Sequence, residues 1–145
     1  MILYAMDVAG QRADTAIDRF YDNFAGDVPL DPPEPWVPES AWSGAFRILA
    51  DDPEARAYAA ELAEGVERHL DELDTLIRSI SVHWRLDRMA VVDRNLLRLA
   101  AYELVHRRED VPRKVAINEA IELAKRFGAI ESGAFVNGIL DRIEK

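Results

Sequence analysis

At 145 residues the chain has the length of one domain, enough to bury about two-thirds of its unfolded surface. It has no cysteine, which excludes disulfides and thiolate metal sites, and no apolar run approaches the roughly eighteen residues of a membrane span. A net charge of −9 would repel nucleic acid if it were spread evenly, but residues 1–80 carry 6 Lys/Arg against 17 Asp/Glu (net −11) and residues 81–145 carry 12 against 10 (net +2). Any RNA binding therefore needs a local patch, and the acidic front half suits either a basic protein partner or a solvated surface.

The opening MILYAMDVAG is apolar but has no basic run before it and acquires Asp7 at once, so it does not read as a signal peptide and a cytoplasmic location is expected. Ile2 to Val8 starts in mid-pattern, as though partway along a helix. A helix is predicted over Ala13 to Phe24, with Ile17, Phe20, Tyr21 and Phe24 on one face and Gly26 as its stop. Val28 to Pro38 holds five of the seven prolines; without donors and with φ fixed, it reads as an extended surface loop, a better reading than a docking PxxP motif. Trp42, Phe46 and Leu49 suggest a short helix after it.

Asp52-Pro53-Glu54 is a helix start: a capping carboxylate, proline at the first helical position, and an acid at the positive dipole end. That helix is expected to reach about His69 and to bury Tyr58, Leu62 and Val66, with another from Leu70 to Ile80. Trp84 to Met89 is ambiguous. Three amphipathic helices follow. The first is striped by Leu96, Leu97, Ala100, Ala101, Leu104 and Val105, the second by Ala116, Ala120, Leu123, Ala124 and Phe127, and the third by Phe135, Val136, Ile139, Leu140 and Ile143. Gly128 is read as a left-handed stop and Ser132 as the cap of the third helix. With no sustained β alternation and no repeat, the fold class is all-α: a compact bundle of about six to seven helices in a single domain spanning 1–145.

Enzyme signatures are missing from the pattern. No serine lies in a G-x-S-x-G elbow, and there is neither a phosphate loop nor G-x-G-x-x-G. Glu103-x-x-His106 has the spacing of half a di-iron site, but a second such motif and two further glutamates are lacking, and His69 and His83 have no ligand neighbours at zinc spacing; no metal and no cofactor are expected. Glu122 is expected to pair with Arg126 as ordinary helix support. What remains is binding. Arg107, Arg108, Arg113 and Lys114 concentrate positive charge at the joint between the first two C-terminal helices, where they could hold phosphates or simply form a solvated turn.

The run KVAINEAIELAKRFG (Lys114 to Gly128), followed by FVNGILD (Phe135 to Asp141) and preceded by LRLAAYEL (Leu97 to Leu104), resembles the NusB family of bacterial transcription antitermination factors, densely so from about Tyr58 onward. The resemblance implies two small helical sub-bundles packed together. It also implies a non-enzymatic factor that grips the boxA element of ribosomal RNA leaders with NusE, a small-subunit ribosomal protein, and acts through them on RNA polymerase. Carried over by position, Tyr4, Glu131, Ser132 and Phe135 are RNA-side candidates, although Phe135 also lies on its helix's apolar stripe. Asp93, Arg94 and Asn95 are candidates for the NusE contact, with capping of the helix as the alternative for Asp93. The family's N-terminal arginine-rich run has no counterpart before Arg12, and a late start of the sequence is the expected reason. A relative of the RNA-targeting domain of ribosomal RNA cytosine methyltransferases and a helical interaction module without RNA binding are the alternatives. A homodimer is a further partner option; a membrane is not.

Overall fold

The computed structural model describes residues 2–24 and 52–143. The expected Gly26 stop, the proline-rich loop and the short helix around Trp42, Phe46 and Leu49 lie outside them. Among the described residues there are seven α-helices and no strand: α1 (Ile2–Ala9), α2 (Ala13–Phe24), α3 (Pro53–Arg68), α4 (Leu70–Ile80), α5 (Val91–His106), α6 (Arg113–Phe127) and α7 (Ser132–Leu140), with a 3-10 turn at Leu86–Arg88. The all-α expectation holds. The chain forms two compact units, residues 1–64 and 65–145, and the division falls within α3.

In the first unit α1 and α2 are joined through Gly10, whose φ of +62° is a conformation that glycine adopts without a Cβ penalty. Ala13, Ile17, Tyr21 and Ala63 form the core, and Ile2, Leu3, Met6, Phe20 and Ala60 pack against it. The expected α2 face is therefore the buried one at Ile17 and Tyr21. The start of α3 is also as read, because the Glu54 backbone N–H donates to Asp52 Oδ1 at 3.0 Å. Tyr58 is a correction. It is 44% exposed, whereas Val66 is buried. A row of residues four apart drifts about 40° around the helix at each step, and in the first unit α3 turns Ala60 and Ala63 to the core instead. Arg56 lies over the Tyr21 ring, 4.6 Å from its centroid, and pairs with Asp18 at 3.3 Å. Burial raises the Tyr21 pKa above its ordinary value, against the opposing pull of Arg56.

The second unit is built around α5, which packs against α4, α6 and α7. Its Leu97, Ala100, Ala101 and Leu104 are buried, and α6 answers with Ala116, Ala120 and Ala124. Small residues on both sides let the two helices approach closely. Val136, Ile139 and Leu140 of α7, Ile143 beyond it, and Leu73 and Ile77 of α4 complete the core. One ion pair is enclosed here: Arg98 on α5 donates from Nε to Asp74 Oδ1 (2.7 Å) and from Nη2 to Asp74 Oδ2 (2.9 Å), with both side chains almost fully covered.

Two joints differ from their expected cause. Gly128 ends α6 at the expected place, but its φ of −94° and ψ of −171° are extended, not left-handed. Glycine is required there by close approach: a Cβ would lie 2.5 Å from Ser132 Oγ and 2.7 Å from the Ala124 carbonyl oxygen. Ser132 is likewise not the cap of α7, since Glu131 holds that position without a side-chain hydrogen bond. The Ser132 hydroxyl instead accepts the Ala129 N–H at 2.9 Å and closes the α6–α7 turn. Glu122 pairs with Lys125 at 2.9 Å rather than with Arg126.

Candidate nucleic-acid interface

The basic joint between α5 and α6 is a hydrogen-bonded turn in which the Val111 N–H donates to the Arg107 carbonyl at 2.8 Å, and Pro112 opens α6. Its arginines are held in place. Arg107 pairs with Asp110 at 3.2 Å, with only 13% of its side chain exposed. Arg108 Nε donates to the Leu104 carbonyl at 2.7 Å, across the end of α5. Arg113, at the start of α6, would oppose the helix dipole if it stayed there. Its Nη2 reaches the far end of α7 instead, 3.4 Å from the Leu140 carbonyl and 3.3 Å from that of Asp141. Lys114 is exposed. Each of the joint's three arginines is thus engaged with a carboxylate or a carbonyl of the fold.

The second feature is aromatic. Phe135 on α7 is half-buried, and Trp84 meets it edge-on with ring centroids 5.5 Å apart at 83°. Trp84 is 62% exposed. Its turn is fixed by Ser81, which is buried and donates to the Ile77 carbonyl at 2.7 Å, while the Trp84 N–H donates to the Ser81 carbonyl at 2.9 Å. An indole face held open on a rigid turn can stack on a nucleobase. Sequence reasoning missed it: the tryptophan was visible in the ambiguous Trp84 to Met89 segment, but nothing near it in sequence points to Phe135.

The other candidates are placed as follows. Glu131 is exposed beside Ser132, which is buried with its hydroxyl occupied in the turn. Tyr4 is half-buried on α1, in the first unit. At the start of α5, Asp93 does not cap the helix; Ala90 is the capping residue, and Asp93 is buried with Oδ1 lacking a hydrogen-bond partner among the described residues. Asn95 is buried as well; its Nδ2 donates to the Val91 carbonyl and its Oδ1 accepts from Arg98. Arg94 Nη1 approaches the Leu86 carbonyl at 3.4 Å. No helix among the described residues is long and apolar enough to cross a membrane.

Comparison with known proteins agrees with this architecture. The model of the NusB family matches residues 1–145. The transcription antitermination protein NusB of Myxococcus xanthus is 58% identical over 105 residues, covering 72% of this chain and 74% of that protein. The protein of the same description from an Anaeromyxobacter species is 47% identical over 141 residues, covering 97% of this chain and 80% of its own length. Among solved structures, a chain in the crystal structure of a plectonemic RNA supercoil shares the fold with a TM-score of 0.72 at 23% identity, over 97% of this chain and 83% of that one.

Proposed function

Because the chain belongs to the NusB family and is a transcription antitermination factor, we propose that it works by binding, not catalysis, and grips boxA-type RNA of ribosomal RNA leaders together with NusE. The observation that carries this reading is the exposed indole of Trp84 braced against Phe135. Single-stranded RNA is recognised mainly through unstacked bases laid on aromatic faces, each worth about 1–3 kcal/mol. The phosphate side is thin, since the guanidinium groups of Arg107, Arg108 and Arg113 already have partners and the whole chain carries −9. A second protein that adds phosphate contacts is therefore needed for tight binding, which favours a joint grip with NusE over RNA binding by this chain alone. The family resemblance supports the start of α5, with Asp93, Arg94 and Asn95, as that partner's contact; Asp93 Oδ1, which is enclosed within the fold, does not.

The test is anisotropy of a labelled boxA-type RNA, with and without NusE, at two salt concentrations. Tight, salt-sensitive binding is expected only with NusE, and Trp84→Ala should weaken it about 5- to 150-fold, the equivalent of about 1–3 kcal/mol. Absence of RNA binding with NusE present would overturn the reading. Binding to NusE without any RNA contribution would leave a protein-interaction module in its place.

A further inference from the structure

Three side chains that the sequence keeps far apart meet at one end of the α4–α5 pair. His69 lies between α3 and α4, Glu72 is in the first turn of α4, and His106 is the last residue of α5. The antiparallel run of α4 and α5 brings His106 back over His69. Glu72 Oε2 is 3.1 Å from His69 Nδ1 and 3.3 Å from His106 Nε2, and the three ligand atoms all lie within 4.8 Å of one another. For zinc bonds of about 2.0–2.2 Å, tetrahedral geometry puts neighbouring ligand atoms roughly 3.3–3.5 Å apart. Two of the three separations are already close to that.

The rings are also prepositioned. The two imidazoles stack with centroids 3.9 Å apart, and Tyr102 lies 5.5 Å from His106 and 5.9 Å from His69. Tyr102 is itself buried, its ring pressed against the backbone of Gly65. Among the described residues, the ion-pair partners of Glu72 are these two histidines; no lysine or arginine competes for its carboxylate. Its side chain is 54% exposed, against 29% and 26% for the histidines, so the group is sheltered at the rings and open to solvent at the carboxylate.

We propose that His69 Nδ1, Glu72 Oε2 and His106 Nε2 form a binding site for one divalent transition-metal ion of the zinc class, with water in the remaining position. Imidazole donors favour zinc, nickel or copper over magnesium and calcium, which take oxygen ligands. Binding requires each ring to turn a lone pair to the ion, so the proton of the ligating nitrogen moves to the other ring nitrogen, and no redox change is involved. The site would link the start of α4 to the end of α5 and place positive charge next to Arg107 and Arg108.

The experiment is calorimetric titration of the untagged full chain with zinc chloride in a non-chelating buffer at neutral pH, with thermal melts followed by circular dichroism. One ion per chain and a raised melting temperature are expected. His106→Gln and Glu72→Gln should each weaken binding at least tenfold and abolish the zinc-dependent rise in melting temperature. His83→Gln, at an exposed histidine outside the group, should change neither. Because Glu72 is more than half exposed, its variant tests the site even if His106→Gln fails to fold. No stoichiometric binding by the parent chain overturns the proposal, as does binding that survives Glu72→Gln or falls equally in His83→Gln.

Discussion

The Arg98–Asp74 pair gives the sharpest test of how the second unit is held together. Both residues are over nine-tenths buried, and the guanidinium meets the carboxylate through two bonds of 2.7 and 2.9 Å, with Asn95 Oδ1 accepting a third from Arg98 Nη1 at 3.3 Å. Arg78 lies 3.9 Å from the same carboxylate but is largely exposed, so it cannot replace Arg98. Asp74→Ala takes from this buried cation the carboxylate that meets it through two bonds, and the expected loss is about 3–5 kcal/mol, a large part of the roughly 5–15 kcal/mol that holds a typical domain folded. Asp74→Asn keeps an acceptor for one of the two bonds and should lose about 1.5–3 kcal/mol. Replacing both partners together, Asp74→Leu with Arg98→Met, removes the charge and its desolvation at once and should come within about 1–2 kcal/mol of the parent. Urea unfolding followed at 222 nm, with free energies from midpoint and slope, reads all three. A loss under about 1 kcal/mol in Asp74→Ala, or a double variant no more stable than the single one, would refute the view that losing the carboxylate beside the buried guanidinium is the source of the cost.

Four further outcomes are expected. Gly65→Ala should destabilise the second unit by about 1–3 kcal/mol in the same assay, because the new Cβ meets the Tyr102 ring; Tyr102→Phe should not relieve it, since ring carbons as well as the hydroxyl are in the way. Asp52→Ala removes the carboxylate that accepts the Glu54 N–H and should cost about 1 kcal/mol, and Asp52→Asn should cost less. Asp87 accepts hydrogen bonds from Arg85 at 3.1 and 2.8 Å, which hold its carboxyl below the ordinary aspartate range. Its small contribution to stability is in place above that range and fades as pH falls through the lowered value, and a carboxyl NMR titration should show its midpoint rising in Arg85→Gln. Tyr21 runs the other way: burial raises its pKa, so its contribution is intact below the ordinary tyrosine value and is lost as pH rises through the raised one, visible as delayed ionisation in an alkaline absorbance titration.

Features whose cause is local were legible in the sequence, and features whose cause is a distant neighbour were not. The start of α3 could be read from Asp52-Pro53-Glu54 because a cap is formed within three residues. The buried stripes of α5 and α7 could be read from helical period alone, down to Ala100, Ala101, Val136 and Ile139. Gly128 was placed correctly as a stop, yet its need for glycine comes from Ser132 folding back over it, which no local pattern encodes. The same limit governs the site. Charge at Arg107, Arg108 and Arg113 is plain in the sequence, but whether a guanidinium is free for phosphate depends on carbonyls and carboxylates that surround it in the fold, and for Arg113 these belong to the far end of α7. Trp84 meets Phe135, and His69 meets a second imidazole at His106, only through the packing of the second unit. A basic residue in the sequence therefore does not by itself say whether its charge is available to a ligand. The exposure of Trp84 is likewise set by the fold: the turn closed by Ser81 holds the ring in solvent at one side and against Phe135 at the other, and neither contact is written in the residues around it.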